Sequence, residues 1–286
     1  MAGHFAPPRG QAPAAPERRS HAHRRQRGRA SAVQWSADYA LAVPRETASD
    51  LKARARAVVK RLAKAYPDWG PTLEYSNPFE LLVATILAAQ AQDERVNEVT
   101  RALFQKYRGP ADYLGVAVEE LEQDVHATGF FRQKTKTIRT ASQQILEQFG
   151  GELPNTMEGL TSLHGVGRKT ASIVLGNAFA VPAVAVDRHV QRVADRLRLL
   201  TVRARRGKEE EATETSLRQI VPKKDWVKAT WLLVLHGRRI CRPRPMCYAC
   251  PINDLCPYPR KTKDPAARAR LLSRRRAAEP RRSRSR

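Results

Sequence analysis

The chain has no cysteine outside residues 241–256 and too few acids to balance its bases. It also has no apolar run near the ~18 residues that a membrane span needs. Each absence excludes something. Without such a run, no transmembrane helix is expected. The opening GHFAPPRGQAPAAPERRSHAHRRQRGRA lacks the apolar centre of a secretory signal peptide. Its Arg-rich, acid-poor composition imitates an organelle transit peptide, but its prolines spoil an amphipathic helix. A cytoplasmic setting follows, and there clustered cysteines are more often metal ligands than disulfides. The shortage of acids is large: 28 Asp and Glu face 52 Lys and Arg, a net charge of +24 at pH 7. The ends carry most of it. Residues 1–34 hold seven Arg against one Glu, and residues 257–286 hold twelve bases against two acids. A basic body with basic ends suggests a polyanionic partner.

What is present falls into three parts. Residues 1–45 are rich in Ala, Pro and Arg and read as a disordered basic extension, as do residues 261–286. Between them lies a core of roughly 215 residues, enough for one or two domains. That core reads as helical nearly throughout. In SNPFELLVATILAAQ, Asn77 can cap a helix, Pro78 suits its first turn and Glu80 takes the capping-box position. KTKTIRTASQQILEQFGG reads as a helix ended by Gly150 and Gly151. The only strand-like run is VPAVAV, which could equally be a buried extended connector. The fold class is all-α.

Two segments carry chemistry. In LTSLHGVGRKTASIVLGNAFA one helix is predicted to end at Leu163 and another to begin near Arg168. Gly165 and Gly167 permit a tight turn and close approach of a ligand to the backbone, and amides opening the next helix point at an anion. An ordinary helix–helix turn would look the same. The second segment holds Cys241, Cys247, Cys250 and Cys256, spaced C-x5-C-x2-C-x5-C. Four thiolates can hold zinc or a cubane iron–sulfur cluster. Structural zinc sites show paired short knuckles, and here only Cys247 and Cys250 form one.

HGVGRKTA, then VDRHV, then a four-cysteine loop resembles the endonuclease III family of helix-hairpin-helix DNA glycosylases, over roughly residues 47–258. The resemblance implies a two-domain, all-α helix-hairpin-helix glycosylase fold with a [4Fe–4S] cluster loop. One domain of six helices would span residues 77–184. The other would join residues 46–76 to 185–260 and carry the cluster. It also implies base excision repair of duplex DNA bearing damaged bases or abasic sites. The expected activity is glycosylase and abasic-site lyase on oxidised pyrimidines, by a monomeric, nucleoid-associated bacterial enzyme. A G·T or G·U mismatch glycosylase and a non-catalytic damage-sensing protein are the alternatives.

By the same resemblance, Lys169 matches the catalytic lysine and Asp187 the essential aspartate. A lysine at a helix N-terminus, beside Arg168 and shielded from water, should lose its proton more readily and attack as the free amine. Asp187 is suited both to capping a helix and to holding negative charge near the reacting sugar. His189 is read as structural. A base in a duplex must be flipped out to react. Gln90 matches the side chain that fills the gap, and Phe130 the apolar wedge beside it. Gly165, Gly167, Arg168, Arg242 and Arg244 are candidates for phosphate contact. The four cysteines would hold [4Fe–4S], with zinc the lesser alternative. The chain departs from the family pattern at three places: the first cysteine spacer has five residues instead of six, His164 replaces proline, and Arg188 replaces threonine. Thr85 stands where the related adenine glycosylases carry glutamate, which with Lys169 argues for the bifunctional branch.

Overall fold

The computed structural model describes residues 46–266. The expectations of disorder for residues 1–45 and for most of 261–286 lie outside that range. Among the described residues there are eleven α-helices, three short 3-10 turns and no β-strand. No described helix is long and apolar enough to cross a membrane.

Helix α1 (Ala48–Ala65) opens the described chain, capped by Thr47, whose hydroxyl accepts from Asp50 N at 3.1 Å. Seven helices follow between residues 78 and 178. They are α2 (Pro78–Leu87), α3 (Asp93–Lys106), α4 (Pro110–Gly115), α5 (Val118–Val125), α6 (Phe131–Phe149), α7 (Met157–Ser162) and α8 (Arg168–Ala178). The family resemblance implies six in this stretch; one of the seven is a short six-residue helix opened by Pro110. Their apolar faces, including Leu81, Leu82, Leu87, Leu103, Ile138, Ile145 and Val174, form one buried cluster.

A second buried cluster joins α1, through Ala55, Val58 and Leu62, to the C-terminal helices. These are α9 (Arg188–Arg196), α10 (Glu209–Ile220) and α11 (Trp226–Arg239). Helices α9 and α11 approach closely because residue 237 has no side chain. A Cβ on Gly237 would lie 2.9 Å from the His189 Cβ. Gly176 does the same for α8 against α11, where a Cβ would meet Val227 Cγ2 at 2.8 Å.

The caps follow the sequence. Asn77 Oδ1 accepts from Glu80 N at 2.9 Å. The Glu80 carboxylate reaches back to Ser76 N at 2.6 Å, one residue earlier than a strict capping box. Helix α6 ends at Gly150, with φ 63, and Gly151 N bonds Ile145 O at 3.0 Å.

VPAVAV, residues 181–186, is the extended connector, not a strand. It still uses the period of two that made it look like one. Val184 and Val186 sink into the second cluster, while Ala183 and Ala185 face a cleft on the other side. Asp187 is the next residue in that second row.

Candidate active site and nucleic-acid interface

The cleft is assembled from three elements with matching periodicities. Helix α8 contributes Lys169, Ser172, Ile173 and Asn177, which lie on one face. Its other face, with Ala171, Val174 and Leu175, belongs to the first core. Helix α11 contributes Val227, Thr230, Trp231, Val234 and Arg238, again one stripe. The connector adds Ala183 and Ala185, and then Asp187. Trp231 donates its indole N–H to Asn177 Oδ1 at 3.0 Å, so the two helices are also pinned by a polar bond.

Asp187 caps α9. Its Oδ1 accepts from both His189 N and Val190 N at 2.8 Å. Both bonds use one oxygen, and Oδ2 makes none among the described residues. The N-cap geometry fixes the carboxylate while leaving half of it free for chemistry in the cleft. Lys169 lines the same cleft from the first turn of α8. It is solvent-exposed. The water-shielded pocket expected from the sequence is therefore not built by the protein alone.

The hairpin between α7 and α8 treats its two glycines differently. Gly165 has φ +76, and a Cβ there would meet Thr137 Cγ2 at 2.4 Å. Only glycine fits on both counts. Gly167 is the N-cap of α8 with φ −87 and ψ 172, and a Cβ on it would meet nothing within 4 Å. Its lack of a side chain is not required by the fold. It leaves the first amides of α8 uncovered. Arg168 lies next to them, but its guanidinium is engaged: Nε and Nη2 donate to Glu214 at 3.1 and 2.8 Å. Arg218 Nη1 meets the same carboxylate at 3.3 Å. Arg168 thus ties α8 to α10, a partnership invisible in the sequence. His164 is exposed, and its backbone N–H donates to Gln144 Oε1 at 2.6 Å. Arg188 is exposed at the start of α9.

Gln90 and Phe130 share an unusual property. Both are left-handed, with φ 57 and φ 49, although neither is glycine. Phe130 is 65 % exposed, the largest value among the exposed bulky apolar residues of the described chain. Gln90 is also exposed. Thr85 is not poised for chemistry, because its hydroxyl bonds Leu81 O at 2.7 Å within α2.

No disulfide links any of the four cysteines. They line one apolar cavity with Val193, Leu197, Ile252 and Tyr258. Burial pushes the Cys250 thiol up to about 11 and the Cys256 thiol upward as well. No group of three or more His, Cys, Asp or Glu among the described residues converges as a single ion would demand.

The cysteine loop is held on all sides. Helix α1 grips it through Arg61, paired to Asp254, and Arg54, whose Nη1 donates to Leu255 O at 3.4 Å. Helix α9 grips the shortened first spacer. Arg196 donates to Arg242 O at 2.6 Å and Pro243 O at 2.9 Å, and Arg192 Nε donates to Cys241 O at 2.9 Å. Thr262 closes the far end, accepting from Cys247 N at 3.0 Å and donating to Pro245 O at 2.7 Å. His189 supports this joint, with Nδ1 at 3.0 Å from Arg192 Nη2. Arg242 and Arg244 remain exposed on the loop.

Comparison with known proteins agrees with this architecture. Residues 83–223 match the family described as HhH-GPD superfamily base excision DNA repair protein. Endonuclease III of Bacillus subtilis (strain 168) is 45% identical over 199 residues, 68% of this chain and 88% of that protein. Endonuclease III of Escherichia coli (strain K12) is 38% identical over 211 residues, 73% of this chain and 98% of that protein. A solved structure of a trapped endonuclease III–DNA covalent intermediate superimposes with a TM-score of 0.67 at 40% identity, covering 72% of this chain and 96% of that one. By sequence and fold together, this chain belongs to the endonuclease III family, the DNA glycosylases with abasic-site lyase activity.

Proposed function

We propose that Lys169 and Asp187 carry the glycosylase and lyase chemistry of this chain on oxidised pyrimidines in duplex DNA. The observation that supports it most is their convergence. Residues 18 positions apart in the sequence, on different elements, line one cleft beside an uncovered helix N-terminus. The relative trapped as a covalent intermediate with DNA supports a covalent route.

In this route neutral Lys169 Nζ attacks the sugar C1′. The C1′–N bond breaks, and the damaged base leaves with the bonding electrons and a proton. The sugar ring opens to an imine between Nζ and C1′. That imine acidifies C2′, and loss of its proton expels the 3′ phosphate by β-elimination. Asp187, fixed in place by its cap bonds, takes the ammonium proton, returns it to the leaving base and, ionised again, stabilises the positive charge on the sugar imine. Because Lys169 is exposed in the free protein, the flipped nucleotide must itself displace water from the cleft. Gln90 and Phe130, on left-handed turns, fill the gap in the stack. Gly167 admits a phosphate to the α8 amides, and Arg242 and Arg244 bind further along the DNA backbone.

Cys241, Cys247, Cys250 and Cys256 would hold a [4Fe–4S] cluster. Four cysteines lining one apolar cavity, with a single short Cys247–Cys250 knuckle, suit such a cluster better than the paired knuckles of a structural zinc site. Such a cluster would supply cohesion to the loop and no step at the sugar.

The test is a borohydride trap with duplex DNA carrying one thymine glycol. Wild type should form a covalent adduct, and Lys169→Gln should form none while still binding. An equal adduct from Lys169→Gln would overturn the assignment.

A further inference from the structure

Lys134 is a lysine that the chemistry above does not use. It is only 4 % exposed, in the first turn of α6. An ammonium there is costly twice over: burial strips its water, and the helix N-terminus repels a cation. No carboxylate compensates for it. Its partners are two backbone carbonyls, Leu87 O at 2.7 Å and Thr128 O at 2.8 Å. Leu87 is the last residue of α2, and Thr128 ends the 3-10 turn His126–Thr128. One ammonium therefore caps the C-terminal ends of two elements at once.

Those two ends lead directly to the strained turns. Gln90 lies three residues beyond Leu87, and Phe130 two beyond Thr128. Left-handed backbone at non-glycine residues persists only where the surroundings over-determine it. The Lys134 bridge is the one side chain among the described residues that bonds to the carbonyl preceding each turn.

We propose that Lys134 is a positioning residue for nucleotide flipping, setting the separation of the Gln90 and Phe130 turns so that both side chains enter the duplex together. This rests on the reading of Gln90 and Phe130 as the stack-filling pair. The ammonium touches no substrate. It converts two independent loops into one rigid jaw, so its loss should affect only substrates whose base must be extruded from a stacked helix.

The experiment compares Lys134→Met with wild type on two probes under single-turnover conditions. The first is duplex DNA with thymine glycol and a neighbouring 2-aminopurine that brightens on unstacking. The second is a single-stranded oligonucleotide bearing an abasic site, which needs no flipping. Lys134→Met should slow duplex cleavage at least tenfold and blunt the 2-aminopurine rise, with borohydride trapping on the single strand unchanged within twofold. In a Gln90→Ala, Phe130→Ala background the same change should cost less than twofold, because the pair it positions is gone. Equal slowing on both probes, or a full effect in that background, would overturn the proposal. If Gln90→Ala and Phe130→Ala leave duplex cleavage untouched, the stack-filling reading itself fails and Lys134 loses this role. If they impair it and Lys134→Met does not, only the Lys134 inference fails. Should Lys134→Met lose its helical circular dichroism, Lys134→Gln, which keeps a donor, is read on the same two probes.

Discussion

Lys169 and Asp187 face one cleft from two different kinds of local structure. Lys169 is in the opening turn of α8, while Asp187 ends an extended connector and caps α9. The period of two in residues 183–187 delivers the carboxylate, and the helical period of 169, 172 and 173 delivers the amine.

The two duties of Asp187 can be separated. Asn is as good an N-cap as Asp but carries no charge. Asp187→Asn should keep its melting temperature within a few degrees yet lose at least ~100-fold in single-turnover cleavage, in the range of general acid–base contributions. Asp187→Ala should lose the same chemistry and also about 1 kcal/mol of stability with the cap. Denaturant melts beside rate measurements decide it; an Asn variant that is active and unstable would reverse the assignment.

The two hairpin glycines should fail in different ways. Gly165→Ala drives a methyl against Thr137 Cγ2 and forces a left-handed alanine, so a loss of about 2 kcal/mol or more is expected. Thr137→Ser, which removes that Cγ2, should recover part of it. Gly167→Ala should melt within about 1 kcal/mol of wild type, since its Cβ meets nothing. Its cost should fall on DNA affinity instead, measured by anisotropy with an abasic-site analogue.

Arg242 and Arg244 are exposed between the first two cysteines. Replacing both by Ala should reduce the slope of log affinity against log salt by about 2, close to one unit for each phosphate no longer neutralised. Cleavage of saturated substrate should be unchanged. An unaltered salt slope would remove them from the interface.

Burial holds the Lys134 ammonium below the ordinary lysine value of 10.5, and only carbonyl oxygens face it. Between its lowered native value and 10.5 the unfolded chain binds the proton more tightly, so stability rises with pH there. Below that window the burial penalty is present in full. Wild type should therefore gain on Lys134→Met as pH climbs toward 10.5. A stability difference that stays flat over that range would argue against a buried charge.

Many of these features are legible in the sequence, for identifiable reasons. Asn77, Pro78 and the Gly150–Gly151 pair are local signals whose effect does not depend on distant residues. The hairpin glycines are a local signal too, whereas Lys169, Asp187 and the cysteines stand out in the sequence only through the family resemblance. Partnerships across the fold are not legible. Arg168 looks like a free phosphate ligand until Glu214, 46 residues away, takes two of its nitrogens. Lys134 looks like a surface lysine in GFFRQK, because nothing local announces that Leu87 will accept from it. VPAVAV alternates as a strand would, yet pairs with no other described segment. Lys169 reads as shielded in the sequence and is exposed in the fold.

Everything proposed for the cleft turns on the amine of Lys169 forming the covalent link to the sugar. The decisive measurement digests the borohydride-trapped wild-type complex and locates the modified peptide by mass spectrometry. A single modified residue is expected, Lys169, in the peptide containing GVGRKTAS. A sugar adduct mapped to any other lysine, or to the chain's N-terminal amine, would refute that role.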